Sequence, residues 1–473
     1  MYQIKFTLKQ HTPIIHFQHN QDGATLRASE VKPKLDRFVL TKLGEGNYEN
    51  GRSEAQKNGW LIDKDKGALN YKMRIEAVSP VIYKIEQREN IGSFFGAMGK
   101  EYKSNPRGLS IVNNDISCII ISKDVNLTVE IGKVLNKFFA LTNFGMRQSK
   151  GFGSFSVTTI NNESQTFPTT EFDYSFNLGF DGKKIEKKVQ VNLAEQIDIF
   201  YRSLRSGINI NSFYFKSALF CYLNKKSIQW DKKTIKANYF NNTDYNGTER
   251  KWNKITRQME IQNISIKYLG SQQDQHKKDG VIPDILITPK TQTNDHQYKL
   301  YRDRLGFSSN EKWYSYRQNL SKTEAKKNGN SWQKKGKNEC QIVRYKSPLF
   351  FKILIDEANK KAAVYFDIFE DKSIDNYVGK MFNIQLKPDT TKPRLTKPDN
   401  LFMPIANRQE LDLKKFLIDT FSSMDVSKHI NKIPPYKITN RQNKQEDNPL
   451  YIIYEDLKSI YSQLKTQLQN KQK

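Results

Sequence analysis

Along the first 160 residues the apolar positions switch between two periods. Gln3 to Lys9 alternates apolar with polar, Pro13 to Phe17 runs apolar, and Leu69 to Val78 alternates again, as half-buried strands do. Ile116 to Ser122 (ISCIIIS) is a short β-branched run of the kind that forms a buried strand. Between these, Ala28 to Leu43 sets Val31, Leu35, Phe38 and Val39 on one helical face. Ser29 is its expected cap, and Pro33 falls in the first turn, where a missing N–H costs little. Leu127 to Leu141 repeats the helical spacing with Ile131, Leu135 and Phe138, and Phe152 to Ile160 alternates as a last strand. Strand, helix, strand, strand, helix, strand is the ferredoxin-like order, here with insertions at Gly44 to Gly67 and Ile91 to Asn114.

Beyond that point the pattern is looser. Asn161 to Thr170 reads as a polar linker, Lys183 to Leu204 as an amphipathic helix, and Phe213 to Leu223 as a second helix. Met259 to Tyr268 and Val281 to Thr288 are strand-like. Pro348 to Ile355 and Ala362 to Phe369 suit a hairpin whose turn is the polar Asp356 to Lys361. Ser321 to Lys337 is expected to be a mobile basic loop, and Tyr451 to Leu468 a closing helix. The expected class is α+β. The expected domains are 1–165, a helical connection over 166–250, a second α+β unit over 251–400, and a helical segment over 401–473.

Charge narrows the partners. Lys and Arg number 77 against 50 Asp and Glu, a formal net charge of +27, which favours a polyanion such as nucleic acid. An AT-rich genome would also raise Lys, Asn and Ile. No apolar run reaches the roughly 18 residues of a membrane span, and the N-terminus reads as a strand and not as a signal peptide. The three cysteines, Cys118, Cys221 and Cys340, form no CxxC pair, so neither a disulfide framework nor a thiolate zinc site is expected. The expectation is a cytoplasmic protein with no cofactor and no metal.

The most distinctive chemistry is FGMRQSKGFGSFSV, Phe144 to Val157, between the second helix and the fourth strand. Gly145, Gly151 and Gly153 let a backbone adopt positive φ and approach a ligand closely. Arg147, Lys150, Ser149 and Ser154 add charge and hydroxyl donors suited to phosphate oxygens. No GKS or GKT follows, and a helix precedes the loop, so it is neither a P-loop nor a dinucleotide fingerprint. The loop is expected to be glycine-rich because a phosphate backbone passes close to it. Near the first strand, Arg27, Lys32, Lys34 and Arg37 surround the start of the first helix, whose dipole would add to phosphate attraction. In a ferredoxin-like sheet the first and third strands are adjacent, so both basic segments are expected to border one surface. The alternative is two solvated charged faces.

TPIIHFQ…GATLRASEVKPKLDRF and FGMRQSKGFGSF resemble the opening segment and the glycine-rich loop of the RAMP superfamily, CRISPR-associated RNA-binding proteins with a ferredoxin-like fold. IGSFFGAMGKEYKSNPRGLSI and RYKSPLFFKIL are similar to elements of the first RAMP subunit of type III-B Cmr complexes. The loop lacks that superfamily's opening glycine pair, and its arginine run is reduced to Arg147 and Lys150. The resemblance implies tandem ferredoxin-like RAMP domains in a subunit of an antiviral type III effector, beside other RAMP subunits. Such a subunit holds CRISPR guide RNA, or the guide–target duplex, by its backbone. Its expected RNA-binding residues are Arg27, Ser29, Lys32, Lys34, Arg37, Gly145, Arg147, Gln148, Ser149, Lys150, Gly151 and Gly153. Trp313, Tyr314, Tyr316 and Trp332, lying among basic segments, are candidates for stacking on bases.

Two other readings stay open. His11, His16 and His19 cluster near the first strand, which suits a metal-independent endoribonuclease using His16 or His19, although more than 300 residues follow the glycine loop. Asp22 and Asp36 are nominal acids for target cleavage, Asp36 being also placed to pair with a helix lysine. A protein-binding adaptor with non-specific polyanion affinity is the third reading, suggested by the amphipathic helices.

Overall fold

The computed structural model describes residues 1–15, 25–63, 66–84, 108–210, 213–231, 234–235, 245–253, 258–266, 298–313, 318–329, 331–340, 344–370, 375–386, 401–430 and 449–472. The fold is α+β with antiparallel sheets, and by its contacts the chain divides into two units. One comprises Met1–Asp198 with Leu349–Asp367, the other Ile199–Pro348 with Ile368–Lys473.

In the first unit β1 (Tyr2–Gln10), β2 (Tyr71–Glu76), β3 (Ile116–Ser122) and β4 (Phe155–Ile160) form an antiparallel sheet in the order β2-β3-β1-β4, extended by Glu163–Ser164. The register sets Ile4 opposite Ile120 and Phe6 opposite Cys118, so the apolar members of the alternation share one face. A bulge at Thr7/Leu8 interrupts the pairing with β4. On that face lie α1 (Ala28–Leu43) and α3 (Val125–Ala140), while α2 (Tyr48–Lys57) in the first insertion packs against α1. Val31, Leu35 and Val39 meet Ile131, Leu135 and Phe138 with the strand residues in one buried core.

The hairpin expected around Asp356 forms from Leu349–Asp356 and Lys361–Ile368. It is counted with the first unit, where Lys361–Ile368 pairs with β5 (Tyr174–Gly179). Its residue Lys352 is fully buried and donates from Nζ to Phe139 O (2.6 Å), Thr142 O (3.1 Å) and Asn143 Oδ1 (3.2 Å), satisfying carbonyls at the end of α3. α4 (Lys187–Arg205) begins in this unit and ends in the other.

In the second unit Asn310–Trp313, Gln318–Asn328, Met381–Leu386 and Leu401–Pro404 make an antiparallel sheet. Helices α5 (Ala218–Lys225), α6 (Leu413–Ser423) and α7 (Pro449–Gln472) accompany it, and Ser203 Oγ and Tyr461 OH lie 2.8 Å apart.

Several local expectations change. Phe213–Phe215 is a strand paired with Ile208–Ile210, and the helix begins only at Ala218, because Ser217 accepts the Phe220 N–H as an N-cap. Ser321 to Lys337 is no loop: most of it lies in a paired hairpin, whose strands are Gln318–Asn328 and Ser331–Lys334. Ser29 does not cap α1, since Arg27 occupies the cap position without a side-chain bond. Pro13 to Phe17 shows one isolated bridge, Ile14 to Ser110, in its described part. The linker contains Glu163–Ser164 and a short 3-10 turn, Thr169–Glu171. The strand read at 259–268 is present as Gln258–Ile266, and the one at 281–288 lies outside the described residues.

Candidate nucleic-acid interface

The glycine loop is held mainly by its own chain. Gly145 and Gly151 have φ of 78° and 84° and Gly153 63°, all in the left-handed region that favours glycine. A Cβ on Gly153 would stand 2.0 Å from Phe144 O, and one on Gly145 2.7 Å from Ile15 O. On Gly151 it would stand 2.5 Å from the Ile353 Cδ1 methyl. Self-packing therefore accounts for the three glycines, and the sequence-based reason, close passage of a phosphate backbone, is not needed to explain them.

The loop's amides are largely committed as well. Met146 N–H donates to Ile15 O (2.7 Å), Gly153 N–H to Pro13 O (2.9 Å) and Gly151 N–H to Gln148 O (3.2 Å). Gln148 Nε2 donates to Gly145 O (2.6 Å), and Phe351 N–H to Ser149 O (3.3 Å). Asn143 Nδ2 reaches both Gln148 O (2.7 Å) and Phe351 O (2.8 Å), and Ser154 Oγ donates to Ile353 O (2.7 Å). Lys150 makes a parallel bridge with Phe351, and its ammonium is buried, unlike the exposed phosphate-facing cation expected from the sequence. Arg147 lies at φ 56°, an uncommon backbone for any residue but glycine and one that needs such surrounding support.

The two basic segments do meet. Glu30, in the first turn of α1, accepts the Gly145 N–H at 2.6 Å, and Lys34 Nζ donates to Asn143 O (3.1 Å) while standing 4.7 Å above the Phe144 ring. This carboxylate sits in the favourable field of the helix N-terminus, where the sequence pattern leads one to expect phosphate. Lys32 is turned inward, donating to Asp36 Oδ2 (2.7 Å) and Leu69 O (2.9 Å) and lying 4.1 Å from the Tyr71 ring centroid. Arg37 is exposed over Tyr48, 5.6 Å from its ring centroid, Ser29 is exposed, and Arg27 and Arg147 are half-buried. Ser149 is buried.

Of the proposed catalytic groups, Asp36 is buried, accepts from Lys32 and from the Leu69 N–H, and burial raises its pKa. His16, His19 and Asp22, like Tyr314 and Tyr316, lie outside the described residues. His11 is buried, with Nδ1 accepting the Ile355 N–H (2.9 Å) and Nε2 lying 2.8 Å from Ser156 Oγ. An accepting Nδ1 makes it the neutral Nε2–H tautomer, and its pKa is held well below the ordinary value by burial and by Lys352, Lys9 and Lys184. Sequence reasoning missed Lys352 and Lys184, both buried with pKa values lowered by burial. A total of +27 does not distinguish the lysines that are internal donors to carbonyls.

Comparison with known proteins gives two family matches: the Cmr1 N-terminal domain over residues 1–208 and the Cmr1 C-terminal domain over 214–458. No curated protein sequence matches. Among solved structures the chain is similar to the apo crystal structure of Cmr1 from Pyrococcus furiosus, at 9% identity and TM-score 0.36, over 85% of this chain and 94% of that one. It is also similar to a chain of the type III-B Cmr-beta complex bound to cognate target RNA, at 14% identity and TM-score 0.22, covering 34% and 59%. A further match is a chain of the same complex with cognate target RNA, AMPPnP and ssDNA, at 10% identity and TM-score 0.27, covering 79% and 96%. Matched by the two domain families over nearly its whole length, this chain belongs to the Cmr1 family of RAMP proteins.

Proposed function

We propose that this protein is an RNA-holding subunit of a type III CRISPR effector, and that it grips guide RNA, or the guide–target duplex, along the phosphate backbone where the glycine loop meets α1. The observation that carries the reading is the Glu30–Gly145 hydrogen bond with the Lys34–Asn143 contact, which joins the two basic segments into one surface. On it the loop's supports position Arg147, while Arg37 and Ser29 stand exposed. Cations so placed read phosphate without regard to base, leaving sequence choice to guide–target pairing. Family membership supports the setting, with other effector subunits and target RNA as partners. The strand order β2-β3-β1-β4, with α1 after β1 and α3 after β3, supports a ferredoxin-like domain within residues 1–165. A divergent second copy within 251–400 rests on the resemblance to RAMP proteins.

The test is sequencing of the RNA retained on purification from the native host in moderate salt, for the wild type beside Arg147→Ala/Lys150→Ala. Discrete CRISPR repeat–spacer RNAs, lost in the double variant, are expected. Bulk ribosomal and transfer RNA at equal levels in both would reduce the +27 charge to a general polyanion trap.

A further inference from the structure

The second unit carries a two-stranded ribbon, β6 (Gln318–Asn328) and β7 (Ser331–Lys334), turned through Gly329 at φ 57°. Every described residue from Lys326 to Lys334 is exposed, so among the described residues nothing forms a core on either face of this end of the hairpin. Such ribbons are marginal in water by themselves.

Register and the two-residue period sort the side chains. Lys327 is opposite Trp332 and Ala325 opposite Lys334, so Lys327, Trp332 and Lys334 share one face. Lys326 and Lys335 belong to the other. The two faces are electrostatically unlike. Lys326 pairs with Glu339 at 3.0 Å and Lys335 with Glu324 at 3.4 Å. On the tryptophan face Lys334 Nζ meets only the neutral Gln385 Oε1 (3.2 Å), and Lys327 has no carboxylate partner among the described residues. Among the described residues the carboxylates pair on one face only, and the other carries an indole that is 36% exposed, opposite Lys327 and two residues from Lys334.

We propose that this face of the hairpin binds single-stranded RNA, a base stacking on Trp332 while Lys327 and Lys334 hold the flanking phosphates. An aromatic platform between cations suits an unpaired strand, whose bases offer a free π-face; in a duplex those faces are already stacked. A membrane surface fits less well, because one indole with Ala325 is too little apolar area to anchor a ribbon. A protein partner fits less well too, since interface cores are depleted in charge. The proposal rests on the chain being an RNA holder, but it uses residues remote in sequence from the glycine loop.

The test measures binding of the full chain to single-stranded oligoadenylate, to a blunt RNA duplex of equal length and to anionic phosphatidylserine vesicles. Trp332→Ala is expected to weaken oligoadenylate binding about tenfold, with Trp332→Phe retaining most of it. Lys327→Ala/Lys334→Ala should flatten the log affinity against log salt slope by roughly 1.4, two phosphate contacts at about 0.7 each. Unchanged oligoadenylate affinity in Trp332→Ala overturns the proposal. So does an equal loss on duplex, or a loss confined to vesicles. Arg147→Ala/Lys150→Ala, measured alongside, separates the two readings: loss there with silent hairpin variants sinks the hairpin and spares the loop, and the reverse sinks the loop.

Discussion

At the scale of single residues, the histidine nearest the first strand's end is a structural one. His11 accepts the Ile355 N–H at Nδ1, which an imidazolium cannot do, and lysines surround it. Its folded pKa lies below the ordinary value of about 6.5, so on acidification the unfolded chain takes up the proton first. Its contribution is therefore complete above about pH 6.5 and is lost progressively as the pH falls below that value toward the depressed folded pKa. His429, likewise buried and lowered, acts in the same direction. Urea midpoints should fall from pH 8 to pH 5, and the fall should be smaller in His11→Asn, which keeps an acceptor for Ile355. An unaltered fall in that variant would assign the acid sensitivity to other groups. The glycines show a second residue-scale lesson. Their presence was plain from FGMRQSKGFGSF, but the reason for them lies in Phe144 O, Ile15 O and Ile353, distant or unremarkable in sequence.

At the scale of elements, strongly periodic segments were readable. α1, α3, α4 and α7 and the strands β1, β3 and β4 stand within a few residues of where their patterns put them. Phe213–Phe215 was misread because FYFKSALFCYL is apolar enough for either structure, and Ser217 alone marks the break. The β6–β7 hairpin was misread because its lysines suggested solvent, while the inward members of the alternation are themselves charged. Lys322, Glu324 and Asp303 are all buried, Lys322 Nζ lying 2.9 and 2.7 Å from the two Asp303 oxygens. Around them Arg205, Arg302 and Arg304 face Asp303, Asp231, Glu311 and Glu370 in ion pairs of 2.5–3.9 Å. Such a network contributes little net stability against an apolar core, but breaking it leaves a buried charge uncompensated. Asp303→Asn is expected to destabilise the second unit by about 3–5 kcal/mol, and Asp303→Leu/Lys322→Met to recover much of that. Differential denaturation of the three proteins measures it, and a mild effect for Asp303→Asn would mean the lysine finds water.

At the scale of the whole molecule, a net charge of +27 is a standing repulsion, so folding should gain from screening. Raising sodium chloride from about 0.01 to 0.15 M, which shortens the screening length from roughly 30 to 8 Å, should raise the urea midpoint. A midpoint that fell would show that attractive pairs outweigh the repulsion. Among the described residues no helix is long and apolar enough to cross a membrane.

The α+β class, the periodic elements, the basic character and the family resemblance are all legible along the chain, because period and composition are local properties. Which cations are available is set by the folded contacts. Lys32, Lys34, Lys184, Lys322 and Lys352 look like any other lysine in a run of residues, yet each donates to a carbonyl or carboxylate inside the protein. The chain fold also brought Leu349–Asp356 against the glycine loop across roughly two hundred residues of sequence. Burial and partner choice depend on contacts between distant segments, and no local pattern encodes those.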